Sequence, residues 1–91
     1  MVDELKLTDF ERGYLLHFSL ISYDDFINQD DCDMWYGVMV NDRMFDLNIW
    51  RGSEDSTVYC SVYECIKGLE EPDNYTTDAD RWFRLWERKD A

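Results

Sequence analysis

The sequence predicts an α+β fold: a small antiparallel β-sheet packed against a C-terminal α-helix at 78–89. Three observations predict it. Residues 34–66 alternate with the period of a half-buried sheet and are cut by two short polar breaks. Thr77 stands where a helix cap would, ahead of apolar residues at helical spacing. Apolar residues make up 45% of the chain and aromatics 16%, against one Pro and four Gly, so a core can be filled and little is left for linkers. The 91 residues are read as a single compact acidic α+β domain, 1–91. A chain of this length buries about 60–65% of its unfolded surface.

Residues 1–7 are a polar lead-in. Thr8-Asp-Phe-Glu11 has the form of a capping box, and Gly13 follows where a C-terminal cap would sit, predicting a short helical turn at 8–12. Residues 14–22 fit a fourth strand: Tyr14, Leu16, Phe18 and Leu20 make one apolar face. A continuous helix would align Phe10, Tyr14, Phe18 and Ile21. It would leave Leu15, Leu16 and Leu20 partly off the stripe, with Gly13 inside at a cost of about 1 kcal/mol. Residues 23–33 carry Asp24, Asp25, Asp30, Asp31 and Asp33 with no base, an exposed loop or helical turn that Phe26 and Ile27 anchor.

The three-stranded meander then runs through 34–40, 44–51 and 57–66. Asn41-Asp42-Arg43 makes the first break and Gly52–Ser56 the second. In the middle strand Phe45, Leu47 and Ile49 face one way, and Asp46, Asn48 and Trp50 the other. The third strand sets Val58, Cys60 and Val62 against Tyr59, Ser61 and Tyr63. A one-residue slip would move all of these to the wrong face, so the register is well specified. Gly68–Asp73, with Glu70, Glu71, Pro72 and Asp73, is a loop. The helix of 78–89 would carry Asp78 and Asp80 in its first turn, a stripe of Trp82, Phe83, Leu85 and Trp86, and Arg88 and Lys89 at its end.

Charge is the extreme feature. The chain has 21 acids, 9 bases and a formal charge of −12. All of it lies in residues 1–75, which hold 17 acids and 5 bases; residues 76–91 hold 4 of each. Such a field repels nucleic acid and anionic membranes and attracts basic surfaces. Solubility alone is a weak reason for about one net negative charge per eight residues. The three Cys include no Cys-x-x-Cys pair, and Cys60 and Cys65 point to opposite faces of one strand, so reduced thiols in a cytoplasmic setting are expected. The N-terminal residues show no signal-peptide pattern, and no apolar run reaches the length of a membrane span. The sequon Asn74-Tyr75-Thr76 is read as chance.

Catalytic equipment is not apparent. His17 is the only histidine and reads as structural, and no nucleophile elbow, phosphate loop or dinucleotide fingerprint occurs. The Asp-rich segment 24–33 lacks the Gly and the final Glu of a calcium loop. A sheet domain this small has little room for a cleft with two supported carboxylates. Neither enzyme, cofactor nor metal is therefore expected.

What remains is a binding surface. Its candidate members are Asp24, Asp25, Asp30, Asp31, Asp33, Asp42, Asp46, Glu54, Asp55, Glu70, Glu71 and Asp73, with Trp50, Tyr59 and Tyr63 as aromatic anchors. Carboxylates can steer a basic partner and be spaced like phosphates, while the rings supply desolvated contact. In size, charge and aromatic content the chain is similar in type to the small acidic anti-CRISPR and anti-restriction proteins of phages. That resemblance implies a cytoplasmic inhibitor, in a bacterial host if phage-encoded, that blocks the nucleic-acid-binding surface of a CRISPR effector or restriction enzyme by mimicry. An immunity protein against a basic nuclease toxin is the second reading. A structural or assembly protein forming a homodimer is the third.

Overall fold

Past Thr8 the chain continues as a helix, α1 (Asp9–Ile27), well beyond one turn. The computed structural model describes residues 5–29, 32–52, 56–68 and 74–89. Four strands follow α1: β1 (Asp33–Val40), β2 (Arg43–Arg51), β3 (Thr57–Lys67) and β4 (Tyr75–Lys89). They form one antiparallel sheet in the order β1-β2-β3-β4. The expected architecture is corrected in two places. No helix stands at 78–89, because that segment lies in β4. No strand stands at 14–22, because that segment lies in α1.

The capping box starts α1. The Glu11 amide donates to Thr8 Oγ1 at 3.1 Å, and the Thr8 amide donates to Glu11 Oε1 at 2.8 Å. Leu15, Ser19, Ser22 and Phe26 are buried at spacings of four, three and four, the stripe that a helix lays on a sheet. Two serines are tolerable there because their hydroxyls donate to Leu16 O at 2.6 Å and Phe18 O at 3.0 Å. Gly13 sits within the helix on its outer side, and a Cβ there would meet nothing within 4 Å. Its cost of about 1 kcal/mol is offset by the cap and the buried stripe. Asn28 ends the helix, its amide donating to Asp25 O and its side chain to Asp24 O.

The first hairpin closes through Asn41 and Asp42 alone. Asn41 takes φ 54°, the left-handed conformation that a two-residue hairpin turn demands and Asn tolerates. The resulting register pairs Val38 with Phe45, Tyr36 with Leu47 and Met34 with Ile49. Across the next pair Leu47 faces Val62 and Ile49 faces Cys60. These side chains share the face that α1 covers, so Val38, Val40, Phe45, Leu47, Ile49, Val58, Cys60 and Val62 meet Leu15 and Phe26 in one core.

Strand β4 joins through two irregularities, between Cys60 and Ser61 and between Tyr63 and Cys65. Phe83, Leu85 and Trp86 pack against the core. Trp86 Nε1 donates to Ser19 Oγ at 2.8 Å, and its ring meets Tyr23 edge-on at 5.5 Å. At the other end of α1, Arg43 donates to Glu11 Oε1 at 2.9 Å, to Glu64 Oε2 at 2.9 Å and to the Lys6 carbonyl at 3.1 Å. Arg81 adds a second cation to Glu64 at 3.1 Å. Burial pushes the Glu11 carboxyl up, but the Thr8 amide and the Arg43 guanidinium outweigh it and hold it below its ordinary value. This cluster ties the start of the helix to β2, β3 and β4.

A candidate binding face on the open side of the sheet

Alternation and register decide what stands on the side of the sheet that α1 leaves open. Strand β1 contributes Asp33, Trp35, Gly37 and Met39; β2 contributes Met44, Asp46, Asn48 and Trp50; β3 contributes Tyr59, Ser61, Tyr63 and Cys65. From β4 come Thr77, Trp82, Arg84 and Glu87. Five large rings thus share one face, and they form two groups. Tyr63 lies 5.4 Å from Trp35 on one side and stacks on Trp82 at 5.8 Å on the other. Trp50 stacks on Tyr59 at 4.4 Å. The Arg84 guanidinium sits 4.5 Å from the Tyr59 ring centre and 5.9 Å from that of Trp50.

Beneath the rings lies a polar floor. Asn48 and Ser61 are buried although no helix covers this side, because aromatic side chains stand around them. Each has a partner: Asn48 donates to Asp33 and to the Met34 carbonyl, and Ser61 accepts from Arg84 Nε at 3.2 Å. Asp46 accepts from the Thr77 hydroxyl. Satisfied polar groups hold the strands' outer surface in register and fix the rings above it. Gly37 makes room on this face, since a Cβ there would come within 2.9 Å of the Met44 methyl. Burial pushes the neighbouring Cys65 thiol up to about 11, with Asp46 adding to the shift. On the helix side burial pushes Cys60 up to about 12, against the opposing charge of Arg84. Both thiols are therefore protonated at neutral pH.

The anchors expected from the sequence, Trp50, Tyr59 and Tyr63, stand on this face, half-buried by one another rather than by a helix. Asp33 lies opposite Trp50, and Asp46 opposite Tyr63. Asp42 is exposed in the β1–β2 turn at one end of the sheet. Asp24 and Asp25 belong to the last turn of α1, off the open face, where Asp25 accepts from the Tyr36 hydroxyl at 2.9 Å. Asp30, Asp31, Glu54, Asp55, Glu70, Glu71 and Asp73 lie outside the described residues. Reasoning from sequence missed Trp35, Trp82 and Arg84. The signal for Trp35 was present: a two-residue turn pairs it with Asn48, already placed on the side of Trp50. Trp82 and Arg84 were hidden by the helix assigned to their segment.

A shallow depression of about 400 Å³ opens beside the Trp50–Tyr59 stack, lined by Thr57, Tyr59, Glu87, Arg88 and Lys89. Among the described residues no three His, Cys, Asp or Glu side chains group as a metal site would. The chemistry this face offers is contact: flat rings, one of which already carries a guanidinium, set among carboxylates. In comparisons with known proteins, no family model, no curated protein and no solved structure matches the chain.

Proposed function

We propose that this protein is a small acidic inhibitor that occupies the basic nucleic-acid-binding surface of another protein. The observation that carries the proposal is the ring-lined open face of a sheet in a chain of formal charge −12. Trp35 retains 51% of its surface exposed at the free edge of the group it forms with Tyr63 and Trp82. Arg84 displays, within the chain, how a guanidinium lies on such rings. A partner's Arg side chains would lie on Trp35 and Trp82 in the same way, while Asp33, Asp42 and the last-turn Asp24 and Asp25 draw the basic surface in.

The mechanism is occlusion without chemistry. Carboxylates pair with the Lys and Arg that would otherwise hold phosphates, and the rings fix the register by desolvated contact. Partners of this class are a CRISPR effector, a restriction enzyme or a nuclease toxin. The work would be done in the cytoplasm, of a bacterial host where a phage encodes the chain. No helix among the described residues is long and apolar enough to cross a membrane.

The test is capture from a bacterial lysate by the tagged protein at low salt, with elution by salt and, separately, by duplex DNA or RNA. Recovery of a nucleic-acid-binding protein that nucleic acid displaces is the expected outcome. Binding that added nucleic acid leaves untouched would refute mimicry.

A further inference from the structure

Two of the six buried residues of α1 are serines, while its outer side is largely apolar. Phe10, Ile21 and Leu20 keep 64%, 59% and 50% of their surface exposed, and Tyr14, Leu16 and Ile27 lie close beside them on the same half of the helix. An apolar helix face belongs inside a structure, yet the described residues cover α1 on one side only. From the contacts α1 makes and the charge it lacks, we infer that its outer side is the interface of a homodimer, the two copies related by a two-fold axis.

Area and charge select a second copy as the occupant. Six large side chains about half exposed leave on the order of 500 Å² of apolar surface per chain, as large as the biggest patch of a typical monomer. Joined across a two-fold axis they remove about 1,000 Å², the size at which specific interfaces begin. Between residues 10 and 21 the outward positions are Phe10, Gly13, Tyr14, Leu16, His17, Leu20 and Ile21, none with a formal charge at neutral pH. A basic partner finds no carboxylate there to pair with. Two copies of a strongly acidic chain, in contrast, meet along these central turns with no like charges opposed. Gly13 leaves open space outward, which allows another backbone to approach. In an antiparallel pair the acids at the helix ends, Asp9 in the first turn and Asp24 and Asp25 in the last, come near one another, and it is these that added salt screens. Both open sheet faces then point away from the axis.

Sedimentation equilibrium of the full chain, over a wide concentration range at low and high salt, tests this. The expected mass is twice 11.0 kDa, with association tightening as salt screens the acids. Leu20→Lys and Ile21→Lys should each weaken association at least tenfold and leave the far-ultraviolet circular dichroism unchanged. A mass of 11.0 kDa at every concentration would overturn the inference, as would a dimer that both variants leave intact. A second measurement keeps the wild-type helix. A nitroxide on Asn28→Cys, in a chain whose exposed Cys32 is replaced by Ser, mixed with unlabelled isotope-enriched chain, should broaden the α1 amides near Phe10 and Tyr14. Broadening confined to the open sheet face, or none, would count against the helix pair.

Discussion

Glu11 shows how one side chain serves a cap, an ion cluster and a strand contact together. It accepts from the Thr8 amide and from Arg43, which in turn holds Glu64. Because its folded pKa lies below the unfolded value of about 4.3, its contribution is complete above that pH and is lost as pH falls through the folded pKa. Glu11→Gln should therefore lower stability at neutral pH by about 1–2 kcal/mol in urea unfolding, with the gap to wild type closing below about pH 4. The thiols give a second prediction at this scale. Cys32 is exposed, while Cys60 and Cys65 are buried with raised pKa values. A thiol reagent at mildly alkaline pH should modify Cys32 fast and the other two only on unfolding. Raised folded pKa values also mean that stability, full below the ordinary thiol range of about 8.5, falls as pH rises toward 11 and 12.

Among the elements, β1, β2 and β3 were legible because their residues obey a strict period of two, bounded by turn residues. Two elements were not. In α1 the outer positions Phe10, Leu16, Leu20 and Ile21 are as apolar as the inner ones, so no single stripe marks a helix and alternate residues imitate a strand. In β4 the error ran the other way. Two irregularities shift its phase, so that Trp82 and Arg84 face outward while Phe83 and Trp86 turn to the core, a spacing that resembles a helical stripe. Thr77, Asp78 and Asp80 completed the imitation of a helix start. Thr77 instead donates to Asp46 across β3. The candidate face followed the same division: its members on β2 and β3 could be found by alternation, and those on β4 could not. Trp86 joins β4 to α1 through Ser19 and Tyr23. Trp86→Ala should accordingly cost about 2–4 kcal/mol in chemical denaturation, since it removes a large, partly buried ring and its hydrogen bond to Ser19.

At the scale of the molecule, the two sides of the sheet have separate work. One side builds the core with α1; the other displays rings on a polar floor. Among the described acids, Asp24, Asp25 and Asp42 lie off that display and Asp33 at its end, so their effect on a partner should be mainly on approach, and the rings' effect mainly on residence. Replacing Asp24, Asp25 and Asp33 together by Asn should slow association with a basic partner and flatten its salt dependence, while leaving the fold intact or slightly more stable. Trp35→Ala should instead speed dissociation and weaken binding at least tenfold, the loss typical of an interface anchor. Surface-based kinetics of the captured partner separate the two effects. The most direct test of the central claim is steady-state competition, measuring the partner's hold on its nucleic acid against increasing amounts of this protein. Occlusion predicts that raising the nucleic acid restores its binding in full and that Trp35→Ala moves the competition to at least tenfold higher amounts of this protein. Inhibition that excess nucleic acid cannot relieve, or that survives the loss of Trp35 undiminished, would contradict it.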